Sequence, residues 1–218
     1  MNGNTDKQVT TVQFQNRSQA GILPDDGPTN GNAVISPGVY VVTESQETRL
    51  LTPGEQASAG LTRLAEAGAP SALVPEIEGT EGVTAVGTFD ADGPITPGSV
   101  GEFSVDASEQ RFLAAAAMLV PSNDMLVATS RPIPLRVGDQ RLTDGALRQR
   151  GISGSDLVTL FDAGTEPNAP HGEGENQAPV QSEPLQGADE DATVRPVNAV
   201  VDGVVTPEIA DVAGLSLK

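Results

Sequence analysis

The apolar segments of this 218-residue chain are short, and glycine and proline stand between them rather than inside them. Gly (24) and Pro (17) together interrupt the chain too often for long amphipathic helices, and such spacing suits strands joined by turns. The pattern predicts a mainly β fold, an antiparallel sandwich carrying one or two short helices. With 37% apolar residues, a chain of this length can bury one core. The expected domain occupies 11–218, behind an N-terminal segment at 1–10.

Residues 8–15 (QVTTVQFQ) and 38–43 (GVYVVT) are β-branched runs, read as strands and expected to pair. Thr52-Pro53-Gly54-Glu55 fits a capping box and predicts a helix from Thr52 to about Ala67. Its Ala57, Leu61, Leu64 and Ala65 form one apolar stripe. A second short helix is expected at 71–77, limited by Pro75. Residues 82–89 and 98–107 read as strands separated by a reversal at Pro94 and Pro97.

Residues 112–120 (FLAAAAMLV) admit two readings. Four alanines favour helix, whereas an apolar run without polar positions suits a strand buried on both faces. As a strand it would pair with 125–129 (MLVAT) across the turn Pro121-Ser122-Asn123-Asp124. An extended connection with one strand or helical turn is expected over 132–156, and a strand at 157–161 (LVTLF). The acidic, Gly- and Pro-rich stretch 168–193 is expected to bury little, as a surface loop, and 194–205 and 209–217 to supply closing strands.

Thirty acidic residues against 12 basic give a formal charge of -18, which argues against a grip on nucleic acid or anionic lipid. Lysine occurs only at Lys7 and Lys218. An acid-rich, lysine-poor surface points to a halophile, where salt screens self-repulsion. Without cysteine there are no disulfides, zinc-thiolate sites or cysteine nucleophiles. Residues 1–9 hold no apolar stretch, so the chain as it stands shows neither signal peptide nor membrane span. An exterior protein of this kind has either lost a leader or leaves its cell by another route, as a virion component would. The expected location is extracellular, or a cell or virion surface, without membrane insertion.

Carboxylates mark the ends of two apolar runs: Asp124 after one, Asp162 and Glu166 after the other. Gly164 lets D-A-G-T-E fold tightly enough for its acids to converge. Three such acids with no Lys, Arg or His nearby in sequence call for a cation, and calcium (Ca²⁺) takes carboxylates in loose oxygen geometry. A lone His171 and no cysteine serve zinc or copper poorly. The expected metal ligands are Asp124, Asp162 and Glu166; with 30 acids in the chain, ordinary solvated charges are the alternative.

The segment AMLVPSNDMLV followed by FDAGTE, with SPGVYVV and TPGEQASAGLTRLAEAG upstream, resembles the spondin domain over residues 11–168. That resemblance implies a C2-like β-sandwich with a bound calcium ion, and it assigns FLAAAAMLV to a strand. It carries the calcium ligands onto Asp124, Asp162 and Glu166, the last departing from the aspartate of animal members. It also implies an extracellular adhesion or interaction module without catalysis, partnered by a protein or a surface glycan. The segment between the two motifs is longer than in F-spondin, and the 168–193 loop has no counterpart.

Other signals are thinner. His171 sits in Pro170-His171-Gly172 with no G-x-S-x-G elbow anywhere, which argues against a Ser-His-Asp hydrolase. Asn16-Arg17-Ser18 matches an N-glycosylation sequon. With no Trp and one Tyr, a sugar-stacking platform is missing. Three functions stay open: a calcium-binding adhesion or interaction module, a self-assembling subunit of an exterior structure such as a halophilic virus capsid or surface filament, and a carboxylate-dependent hydrolase. The last requires a deep pocket lined by close acids of raised pKa.

Overall fold

The computed structural model describes residues 8–24, 28–90 and 92–218. In chain order come β1 (Val9–Asn16), β2 (Ile35–Thr43), α1 (Ala59–Ala67), α2 (Val74–Glu78), β3 (Val83–Phe89), β4 (Val100–Asp106), β5 (Phe112–Leu119) and β6 (Met125–Thr129). Short pieces follow: β7 (Ile133–Pro134), β8 (Arg136–Val137), β9 (Gln140–Arg141) and α3 (Asp144–Arg148). The chain closes with β10 (Val158–Asp162), β11 (Arg195–Pro196), β12 (Val200–Val201), β13 (Val204–Val205), α4 (Ile209–Val212) and β14 (Ala213–Leu217).

Two antiparallel sheets dominate, one ordered β14-β1-β4 and the other β11-β10-β6-β5-β2-β3 with β7 beside β5. They face each other across an apolar core. Phe14 of β1 and Phe103 of β4 stack with Phe89 of β3 at 5.2 and 5.1 Å, and Tyr40 of β2 lies 4.4 Å from Phe103. Each such pair adds about 0.5–1.5 kcal/mol beyond its area burial. The fold is mainly β, as the apolar spacing predicts.

β5 explains its own composition. Leu113, Ala115, Ala117 and Leu119 belong to the inter-sheet core, while Ala114, Ala116 and Met118 belong to a second core with Leu61, Leu64 and Ala65 of α1. A central strand covered on both faces has no place for a polar residue, so the run reads as continuous apolar sequence. Residues 112–119 are therefore a strand, and β6 pairs with it as a hairpin.

Several connections differ from the sequence expectation. β1 does not pair with β2; it lies in the smaller sheet between β14 and β4. Its Val9 and Thr10 already pair with Asp106 and Val105, so the folded part begins before residue 11; residues 1–7 of the expected N-terminal segment fall outside the described residues. β3 and β4 are not a hairpin but sit in different sheets. In the crossover between them Ile95 exchanges backbone hydrogen bonds of 3.1 and 2.7 Å with Ile35.

Helix α1 starts at Ala59, not at Thr52. Gly54 takes a left-handed φ of 88°, and residues 52–55 form a turn held by Gly54 N donating to Val194 O and Val194 N to Glu55 O, at 2.8 and 2.9 Å. Ser58 is the N-cap, accepting from Leu61 N at 3.2 Å. The carboxylate expected from Glu55 comes from Glu76 of α2, which accepts from Gly60 N at 2.6 Å. At the other end of the chain, 209–212 is a helical turn and the closing strand begins only at Ala213.

Asn16 is 2% exposed and fastens the sheets at this corner: its amide donates to Ala33 O at 2.7 Å and Ile95 O at 2.8 Å. Among the described residues, no helix is long and apolar enough to cross a membrane.

Candidate metal centre

The β5–β6 turn positions the first acid. Ser122 Oγ donates to Leu119 O and accepts from Met125 N at 3.1 Å, closing the turn so that Asp124 immediately precedes β6. β10 pairs antiparallel with β6 and brings Asp162 opposite Met125, one residue from Asp124. Both aspartates are fully buried.

Asp124 Oδ2 accepts from Thr165 N at 2.8 Å, Thr165 Oγ1 at 3.3 Å and Glu166 N at 3.2 Å. Its Oδ1 is buried with no donor at all. Asp162 Oδ1 accepts from Gly164 N at 2.7 Å. Asp162 Oδ2 accepts from Asn168 Nδ2 at 2.8 Å and from Arg195 Nε and Nη2 at 3.1 and 2.9 Å. Arg195 reaches it because the β10–β11 ladder sets Asp162 opposite Arg195, and it also bonds Asp202.

The third acid is Glu190, from the returning end of the 168–193 loop. Glu190 N donates to Thr165 O at 2.9 Å and Ala192 N to Gly164 O at 3.2 Å, so the loop runs back along the D-A-G-T-E turn. Gly164 is required twice over: its φ is 67°, and a Cβ would meet Ala192 and Thr193 backbone atoms at 2.9 Å. One carboxylate oxygen from each of Asp124, Asp162 and Glu190 lies within 4.8 Å of the others.

Glu166, the third ligand expected from sequence, is not in this group. The turn offers Asp124 the backbone amide of Glu166 rather than its carboxylate. That carboxylate faces Glu66 of α1 and the side chains of Asn123 and Asn176. Gly187 covers it so closely that a Cβ there would lie 1.5 Å from Glu166 Oε1.

The electrostatics follow from this burial. Asp124 is pushed up to about 7, first by desolvation and then by Asp162, with the Thr165 and Glu166 hydrogen bonds pulling the other way. Burial and then Glu66 push Glu166 up to about 7 against the hydrogen bonds from Asn123 and Asn176. Glu66 is raised by burial, with Asp189 adding and the Thr165 hydroxyl opposing. Burial, Asp162 and Asp202 raise Glu190, and Arg195 opposes them.

Sequence alone places no cation beside these acids, yet Arg195 supplies one charge to a cluster of Asp124, Asp162, Glu190 and Asp202. The residual charge is negative. Eight buried side-chain nitrogen and oxygen atoms among the described residues lack a hydrogen-bond partner, and three of them are Asp124 Oδ1, Asn168 Oδ1 and Glu190 Oε2. Hard oxygen acceptors without donors, close to a net negative charge, are groups that could hold a hard divalent cation.

The loop 168–193 has neither strand nor helix, as expected, but it buries more than its composition suggests: His171, Gly174 and Gln177 are all enclosed. Nδ1 of His171 donates to Pro121 O at 2.8 Å, and burial lowers the pKa of the ring while that bond raises it. The sole imidazole therefore braces the turn that carries Asp124. A cavity of about 560 Å³ borders the outer side of His171, walled by Leu23, Val204, Val205 and Pro207 with Glu208 and Asp211 beside them; none of the converging acids lines it. No family model matches this sequence, and no curated protein matches it.

Proposed function

We propose that this protein is a non-enzymatic calcium-binding interaction module of a halophile, working outside the cell or on a particle surface. The observation that carries the reading is Asp124, a fully buried carboxylate with one oxygen lacking any donor, converging with Asp162 and Glu190. Holding Asp124 ionised there costs on the order of 4 kcal/mol, from its rise to about 7, and a bound cation offsets that cost. Calcium suits the site better than magnesium, because acids delivered by a turn, a strand end and a loop make an irregular oxygen cage rather than an octahedron. The ion would clamp those three segments at one edge of the large sheet. Asp124 and Asp162 are also two of the three positions, with Glu166, onto which the resemblance to spondin domains carries its calcium ligands.

An interaction role is favoured over catalysis because Asp124 and Glu166, the acids pushed up to about 7, are buried and do not line the 560 Å³ cavity. A protein partner is favoured over a glycan, since the chain's Tyr40 and three of its five Phe residues are locked in the inter-sheet stack. A second reading, a subunit of an exterior assembly, draws on Val200 and Val205, which pair across the β12–β13 hairpin and are 55% and 75% exposed.

Thermal melting in molar KCl tests the metal. The midpoint is expected to rise with calcium concentration, less with magnesium, and to return to its starting value with chelator. An Asp124→Ala protein that answers calcium as the parent does would remove this turn from the site. Sizing in the same buffer separates a monomeric module from an assembly subunit.

A further inference from the structure

The loop 168–193 carries six acidic residues and no lysine or arginine, yet it is folded down against the buried acids Asp124 and Asp162. Its middle is held largely by neutral bonds within itself, such as Gln177 Nε2 to Pro170 O at 2.9 Å and Gly172 N to Gln177 Oε1 at 2.8 Å. Its two ends are different. Asn168, at the start, donates to Asp162; Glu190, at the return, brings its carboxylate to Asp124 and Asp162. Both ends leave an oxygen buried and without a donor, Asn168 Oδ1 and Glu190 Oε2.

Docking the loop also encloses acids outside the cluster. Gly187 seals Glu166, whose Oε1 has no donor, and Gln181 Nε2 donates to the backbone carbonyl of the buried Glu66 at 3.1 Å. The docked loop thus closes over two groups of acids, Asp124, Asp162 and Glu190 beside the Arg195 guanidinium, and the pair Glu66 and Glu166. Repulsion and desolvation both favour lifting it away. A cation held where the two ends meet would oppose both.

We propose that the cation is a latch for this loop: Asn168 Oδ1 and Glu190 Oε2 join Asp124 and Asp162 as ligands, and loss of the ion frees 168–193 from the D-A-G-T-E turn. Release breaks the Glu190-to-Thr165 and Ala192-to-Gly164 backbone bonds and exposes Glu66 and Glu166 on the surface beside α1. That face of the molecule then has two forms, selected by calcium. The latch rests on the metal reading above, and its test separates the two.

Hydrogen exchange is followed by mass spectrometry on the whole chain in molar KCl, with calcium or with chelator, beside calorimetric titration of calcium. Calcium is expected to slow exchange at Glu190, Ala192 and across 172–189 by about tenfold or more, leaving the β5 amides unchanged. Glu190→Gln keeps a hydrogen-bonding side chain without the charge and is expected to weaken calcium binding by about tenfold or more. Calcium bound at one per chain with no change in loop exchange overturns the latch and leaves the metal site standing. A Glu190→Gln protein of parental calcium affinity also overturns it. If calorimetry finds no calcium binding in the parent, the metal reading and the latch fall together.

Discussion

Two groups of buried acids flank the same turn, and they solve the same problem differently. On one side Asp124, Asp162 and Glu190 bring three oxygens within 4.8 Å, with Arg195 bonded to Asp162 and further oxygens left bare. On the other, Glu66 and Glu166 make a pair with no cationic partner among the described residues, supported by the Asn123 and Asn176 amides and the Thr165 hydroxyl. A pair can shed its repulsion by taking up one proton, and Glu166, pushed up to about 7, does so near neutrality. A three-acid cluster with an arginine already in place and acceptors to spare has the oxygen groups that the calcium proposal requires. Convergence of bare oxygens, rather than acidity, distinguishes the two.

The largest expected effect comes from cutting the cluster at its arginine. Asp162→Ala leaves the Arg195 guanidinium and the Asn168 amide with only the half-exposed Asp202 as acceptor, and removing the buried partner of such a pair costs up to about 3–5 kcal/mol. Denaturant unfolding in molar KCl measures it; a loss below about 1 kcal/mol would mean that Arg195 is merely a surface partner.

Next is the pH dependence of the cation-free protein. Asp124 and Glu166 both hold protons more tightly folded than unfolded, so their contribution to stability is fully present below the unfolded values of 3.8 and 4.5 and is lost as pH rises through about 7. Asp124→Asn keeps an acceptor for the Thr165 and Glu166 amides but carries no charge. It is expected to remove on the order of 4 kcal/mol of that decline and to abolish the response to calcium, which a melting series from about pH 4 to about pH 8 follows. A parent whose cation-free stability climbs over that range would contradict the burial of both acids.

The smallest effect sharpens the contrast most. Glu166→Gln relieves the pair without touching the cluster, so the cation-free melting point at alkaline pH is expected to rise by about 2–4 °C. Calcium affinity is expected to stay within about threefold of the parent. Loss of calcium binding in this variant would restore Glu166 to the ligand set in place of Glu190.

Asp124 and Asp162 were legible in the sequence because each follows an apolar run that had to be a buried strand, and paired strands carry their ends to a common edge. Glu190 was not, since it is one of six acids in a stretch without periodicity, and only the backbone bond to Thr165 selects it. Arg195 was hidden for a similar reason: it lies far from Asp162 along the chain, and a two-residue ladder joins them. Helix α1 shows the same limit on a smaller scale. The Thr52 to Glu55 pattern is a valid start signal, but Gly54 and the contact with Val194 bend it into a turn, and the carboxylate that serves the helix arrives from α2. Local pattern found the strands, while long-range partners chose which polar residues matter.

The Asn16 sequon takes on a different meaning once its amide is seen to fasten Ala33 to Ile95. The nitrogen that would carry a sugar is enclosed at the corner of the sandwich, with both of its hydrogens engaged. In the finished fold an oligosaccharyltransferase has nothing to grasp there, so the Asn-Arg-Ser triplet is masonry and not an attachment point.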